Sequence, residues 1–155
     1  MAALLAMMLE VSQALIAATV EPLRASRRRE RVVLWLGKRH GELVVVEEVF
    51  EPIQECAADY FQIPAAGMAE ILSRLQRQRR MVAAQVHTHP YNAFHSPADD
   101  RWAIVRHVGG LSLVVPQFCQ HTTEDTFVTD TRVFQVDEND DFNEVMPADA
   151  YRVTK

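Results

Sequence analysis

Cysteine is scarce in this chain: Cys56 and Cys119 are the only two among 155 residues. They form no C-x-x-C pair and are too few for a disulfide framework, so a stapled secreted scaffold is excluded and a reducing, cytoplasmic setting is expected. Excess positive charge is also missing. The formal net charge is −5, which argues against nucleic acid as the main partner. No apolar run is long and clean enough for a membrane span. The most apolar stretch, Met1 to Ala18, is interrupted by Glu10, Ser12 and Gln13 and has no basic segment before it. It therefore fits neither a membrane helix nor a signal peptide, and is expected to belong to the folded domain. Internal repeats and low-complexity segments are absent as well.

What remains is an ordinary globular balance, with 48% hydrophobic and 24% charged residues. Such a chain can bury a core of its own. One domain is expected over 1–155, with its core at about 11–136 and an acidic loop and C-terminal end at 137–155.

The order of elements is mixed. Leu4 to Val11 suits a first strand. Ser12 then caps a helix to about Arg27, with Leu15, Ile16, Val20 and Leu23 on one face. Arg27, Arg28, Arg29 and Arg31 form a basic connection, most simply a solvated helix end. A strand from Arg31 to Leu36, a turn at Gly37–Gly41 and a strand from Glu42 to Phe50 make a hairpin. Pro52 to Gln62 is a loop with a short strand near Tyr60. Pro64 to Arg80 is the clearest helix, with Met68, Ile71, Leu72 and Leu75 at helical spacing. A strand from Met81 to Val86 follows. A helix starting at Ser96, with Ala98, Trp102 and Val105 on one face, is expected to run until Gly109 and Gly110 stop it. Further strands are expected at Leu111–Val115, Thr126–Thr129 and Thr131–Val136, then an acidic turn at Asp137–Asp141. The fold class is α+β and sandwich-like, with a central mixed sheet flanked by helices.

The chemistry concentrates in Val86 to Asp100, VHTHPYNAFHSPADD. Residues two apart on a strand point to one face, so His87 and His89 can present both imidazoles to one point. Ser96-Pro97-Ala98-Asp99 is a helix start, with Ser as N-cap and Pro in the first position. Asp99 in that first turn can add a carboxylate oxygen. Two histidines and one carboxylate leave one position of a tetrahedral zinc ion open for water, whose pKa such an ion brings to about 7. A zinc deaminase would need a P-C-x-x-C signature, which is missing.

This segment resembles the JAMM motif of the JAB/MPN metalloproteases, whose fold is cytidine-deaminase-like. Their pattern is an upstream Glu, then H-[ST]-H-P, then S-x-x-D. Here it stands as His87-Thr88-His89-Pro90 and Ser96-Pro97-Ala98-Asp99. The intervening loop is one residue shorter than in many members. Counting from the histidines points to Asp100, and counting from Ser96 points to Asp99. Asp99 is preferred, because Ser96 anchors the helix start. The family's upstream Glu precedes a strand-ending Gly by seven residues, as in Glu30-Arg-Val-Val-Leu-Trp-Leu-Gly37. Val32 and Val33 replace the glycine pair common in that stretch. The resemblance covers roughly residues 11–136.

The resemblance implies one zinc ion per chain on His87, His89 and Asp99, Glu30 as general base and Ser96 as oxyanion donor. Tyr91, Asn92 and Phe94 on the adjacent loop are candidates for substrate contact, and His95 is most simply a loop residue. The implied activity is hydrolysis of the amide after the C-terminal glycine of a ubiquitin-like protein, its conjugate or its precursor. Homologues of ubiquitin-activating and ubiquitin-conjugating enzymes would share such a pathway, and a bacterial antiphage conjugation system is the expected setting. Processing of a sulfur-carrier protein is one alternative. A non-catalytic MPN-type scaffold is another, although such members usually lack the His pair or the acidic ligand.

Overall fold

The computed structural model describes residues 7–155, except the side chain of Trp102. In chain order the elements are β1 (Met8–Ser12), α1 (Gln13–Ala25), β2 (Val32–His40), β3 (Leu43–Phe50), β4 (Glu55–Cys56), β5 (Phe61–Gln62), α2 (Ala65–Gln78) and β6 (Met81–Thr88). Then come α3 (Pro97–Trp102), β7 (Leu111–Val115), a single 3-10 turn (Gln117–Cys119), α4 (Phe127–Asp130), β8 (Arg132–Val136), β9 (Phe142–Val145), α5 (Pro147–Ala150) and β10 (Tyr151–Thr154). Residues 4–6 of the expected first strand lie outside the described part. No helix among the described residues is long and apolar enough to cross a membrane.

Eight strands form one mixed sheet in the order β10-β1-β3-β2-β6-β7-β8-β9, and β4 and β5 pair separately. Side chains alternate across this sheet and divide the core in two. Val33 and Trp35 of β2 and Val86 of β6 face α1, which contributes Ile16, Val20 and Leu23. Val32, Leu34 and Leu36 face the other way, against Phe61 of β5 and Ile71 of α2. The first helix begins where the sequence places it, with Ser12 Oγ accepting the Leu15 amide at 3.2 Å. Trp35 is fully buried, and its indole N–H donates to Thr19 Oγ1 at 2.9 Å.

The structure departs from the sequence-based expectations in four places. The turn expected at Gly37–Gly41 is strand as far as His40, and only Gly41 and Glu42 turn. Gly37 serves as a close-approach residue within the hairpin, since a Cβ there would collide with the Val45 carbonyl. The helix expected to reach Gly109 ends at Trp102. The amides of Ile104 and Val105 are captured instead by the side-chain oxygen of buried Gln85, at 2.8 and 3.2 Å. Thr126–Thr129 is not strand: Thr126 precedes the helical turn α4, and Phe127 to Thr129 lie in it. Burial of Phe127 against Trp35, with ring centroids 6.0 Å apart, and the Thr131 hydroxyl on the Phe127 carbonyl fix that turn. Finally, the chain after Asp141 forms β9, α5 and β10. The last of these lies parallel to β1, with Leu9 opposite Tyr151.

Candidate metal centre

Strand pairing builds half of the site. β2 and β6 are antiparallel, with Val32 opposite His87. The pairing continues one residue further, because the Thr88 amide donates to the Arg31 carbonyl and the Arg31 amide to Thr88 Oγ1, both at 3.1 Å. Glu30 thereby comes opposite His89 and falls on the face that carries His87. Its own amide donates to the Ala57 carbonyl at 2.7 Å, which ties the start of β2 to the β4–β5 turn.

The other half comes from the start of α3. Ser96 Oγ accepts the Asp99 amide at 3.1 Å, and the Asp99 carboxylate accepts the Ser96 amide at 2.8 Å. This reciprocal capping box holds the Asp99 side chain in one orientation. The same oxygen, Oδ2, lies 2.8 Å from His89 Nε2 and 3.2 Å from His87 Nε2. The ligand-type atoms of His87, His89 and Asp99 all lie within 4.8 Å of one another, and all three residues are buried. Asp100 points elsewhere. Its side chain is 61% exposed and accepts from His95 Nδ1 at 2.6 Å.

A cation suits this cluster on two grounds. Both nitrogens of His87 and Nδ1 of His89 are buried without a hydrogen-bond partner. The 3.2 Å approach of His87 to Asp99 lacks hydrogen-bond alignment. Buried polar atoms are seldom left unpaired unless an ion or water completes them. The donor set, two imidazoles and one carboxylate, is also one that binds zinc with an open position.

The two carboxyl groups are tuned in opposite directions. Burial opposes the charge on Asp99. The electrostatic pull of nearby His87, with hydrogen bonds from His89 and the Ser96 amide, outweighs it and holds the carboxyl far below the usual range. Burial dominates at Glu30, which is 3% exposed. Against the pull of His89, and with Asp99 and Asp59 adding to the effect, it pushes this carboxyl up to about 7. A group near pKa 7 exchanges protons readily at neutral pH.

The loop between the histidines and α3 divides its residues. Phe94 packs edge-on against the His89 ring, with centroids 4.5 Å apart. Tyr91, 81% exposed, and Asn92 instead line a cleft of about 510 Å³ with Gln117, His121, Asp130 and Arg132. His95 is more than a loop residue. Its ring lies 4.2 Å from Phe142 and its Nε2 is 3.1 Å from Ser112 Oγ, which in turn accepts from Gln85 Nε2 at 3.1 Å. Burial, with His87 adding, pushes its pKa down and favours the neutral ring. Gln85 and Ser112 went unnoticed in the sequence. One signal was present: Gln85 stands two before His87 and so shares its face.

No family profile matches the chain. A probable metalloprotease of Sinorhizobium fredii is 31% identical over 123 residues, covering 77% of this chain and 74% of the relative. The solution structure of a Desulfitobacterium hafniense protein superposes with a TM-score of 0.68 at 14% identity. It covers 96% of this chain and 94% of that one, a likeness of fold alone.

Proposed function

The chain belongs to the metalloprotease family of its Sinorhizobium relative, and from that premise we propose that it is a JAMM-type zinc peptidase. Its substrate on this proposal is the amide that follows the C-terminal glycine of a ubiquitin-like protein, in a conjugate or a precursor, within a bacterial conjugation system. One observation carries the metal part: the buried convergence of His87, His89 and Asp99, with ring nitrogens left unpaired. The substrate part is supported by the HTHP and SPAD segments and their resemblance to the JAMM pattern.

His87, His89 and Asp99 would hold the zinc ion. When bound there, zinc supplies a Lewis acid for a carbonyl and raises the acidity of water. Glu30, on the neighbouring strand opposite His89, takes the proton from the attacking water and returns it to the leaving amine. Its carboxyl, pushed up to about 7, suits both transfers. Ser96 Oγ accepts the Asp99 amide, which leaves its own O–H free to donate to the carbonyl oxygen as negative charge grows there.

The test is cleavage of a panel of ubiquitin-like proteins fused through their C-terminal glycine to a reporter. Zinc-loaded wild type should release the reporter from at least one. Glu30→Ala should release none while still holding zinc, and a chelator should stop the wild type. Reporter release by Glu30→Ala at the wild-type rate would remove Glu30 from the mechanism.

A further inference from the structure

The helix that delivers Asp99 is short, and one buried side chain ties both of its ends to the sheet. α3 has six residues, too few to stand on its own hydrogen bonds. Gln85 of β6 is fully buried, and its Oε1 accepts the amides of Ile104 and Val105 just beyond the end of α3. Its Nε2 therefore faces Ser112 and donates to Ser112 Oγ at 3.1 Å. The start of α3 is reached through His95, whose side chain is 5% exposed. Its Nδ1 lies 2.6 Å from Asp100 Oδ1, and a nitrogen facing a carboxylate at that distance carries the proton. Its Nε2, 3.1 Å from Ser112 Oγ, is then the acceptor for the Ser112 O–H. This is the arrangement in which every member of the chain from Gln85 to Asp100 is paired, and it fixes one tautomer of His95. Packing fixes the ring itself. Its centroid lies 4.2 Å from that of Phe142, 5.3 Å from that of Phe134 and 6.0 Å, edge-on, from that of the metal-site residue His87. Asp100, His95 and Ser112 have the order of an acid–base–nucleophile triad, but Ser112 is fully buried and no substrate reaches its oxygen. The chain is left with a positioning role.

We propose that His95 is a positioning residue for the metal centre, with Asp100 as its anchor on α3. His95 and Asp100 bracket the Ser96–Asp99 capping box in the chain. Tying them to Ser112 and Gln85 fixes where that box presents Asp99 Oδ2 to the two histidines and Ser96 Oγ to a reacting carbonyl. The Ser96 half of the inference rests on the peptidase function proposed above, and the Asp99 half on the metal site alone. Asp100, though 61% exposed, thereby has a role other than metal ligation.

The experiment compares Asp100→Asn, Asp100→Leu and His95→Phe in the full chain. The readouts are zinc affinity, the visible spectrum of the cobalt-loaded protein, and kcat and KM on the reporter fusions. Asn keeps an oxygen for the Nδ1 proton and Leu does not. Neither change empties a buried position, so both variants should unfold at the wild-type midpoint. Asp100→Asn should preserve metal affinity, cobalt spectrum and kcat. Asp100→Leu should bind zinc about tenfold more weakly, shift the cobalt band, and lower kcat about tenfold with KM within about twofold, because the loss falls on the transition state. His95→Phe should have the same effects to a greater extent. Asp100→Leu matching Asp100→Asn in all three readouts overturns the proposal, whether both resemble wild type or both are equally damaged. If His95→Phe does not fold, the Asn and Leu pair decides. A wild type that binds zinc but releases no reporter fails the peptidase function alone, and zinc affinity and the cobalt band of the Asn and Leu pair then decide the proposal. A wild type that binds neither metal fails the metal site, and the proposal with it.

Discussion

The two faces of β6 are built from one strand to opposite rules. Ala84 and Val86 turn towards α1, into a layer with Val33 and Trp35. The Trp35 indole there reaches Thr19, whose hydroxyl reaches the Leu15 carbonyl at 2.8 Å, and one polar atom, the Tyr151 hydroxyl, is left without a partner. Gln85 and His87 turn the other way, and His89 follows them just past the end of the strand. Both polar atoms of the Gln85 side chain have partners, whereas the two histidines leave three ring nitrogens without one. One face contributes stability, and the other gives up pairing where chemistry is to happen. Departures from full satisfaction of this kind gather at functional sites.

The comparison can be broken first on its apolar side. Trp35→Ala should cost about 3–5 kcal/mol of stability in urea unfolding, since it empties a fully buried position between Phe127 and Tyr151. A loss below about 1 kcal/mol would mean that this layer is not the stabilising one.

On the polar side, Glu30 should act against stability in the metal-free protein. Its folded pKa is raised, from 4.5 to about 7. Between those values the folded state holds more protons than the unfolded one, so stability falls as pH rises through that window and the penalty is complete above it. The scale is about 3 kcal/mol. Glu30→Gln should flatten this pH dependence, and parallel profiles for the two metal-free proteins would refute it.

A smaller effect sharpens the contrast within the polar face. Gln85→Leu should cost about 1–3 kcal/mol by stranding the amides of Ile104 and Val105. It should also release the Ser112–His95 link and so loosen α3, raising amide exchange in that helix. Unchanged exchange there would show that His95 does not depend on Gln85.

Much of the site was readable from sequence because its geometry is local. The period of two puts His87 and His89 on one face, and the capping signature at Ser96 places Asp99. The same signature favours Asp99 over Asp100, and the structure has Asp99 beside the histidines and Asp100 turned to His95. The role of Gln85 was hidden because its partners stand 19, 20 and 27 positions away. Helix periodicity after Trp102 misled for the same reason, as a side chain from another strand overrides it. The C-terminal strand was illegible because only Tyr151 of its four residues is buried and its partner β1 lies at the opposite end of the chain.

The central claim is that His87, His89 and Asp99 form a zinc site. Its most direct test is zinc titration against a chromogenic chelator for wild type, Asp99→Asn and Asp100→Asn. The account predicts one zinc per chain for wild type and Asp100→Asn with similar affinity, and a loss of about a hundredfold or more for Asp99→Asn. Equal affinity in Asp99→Asn, or a wild type that takes up no zinc, would contradict it.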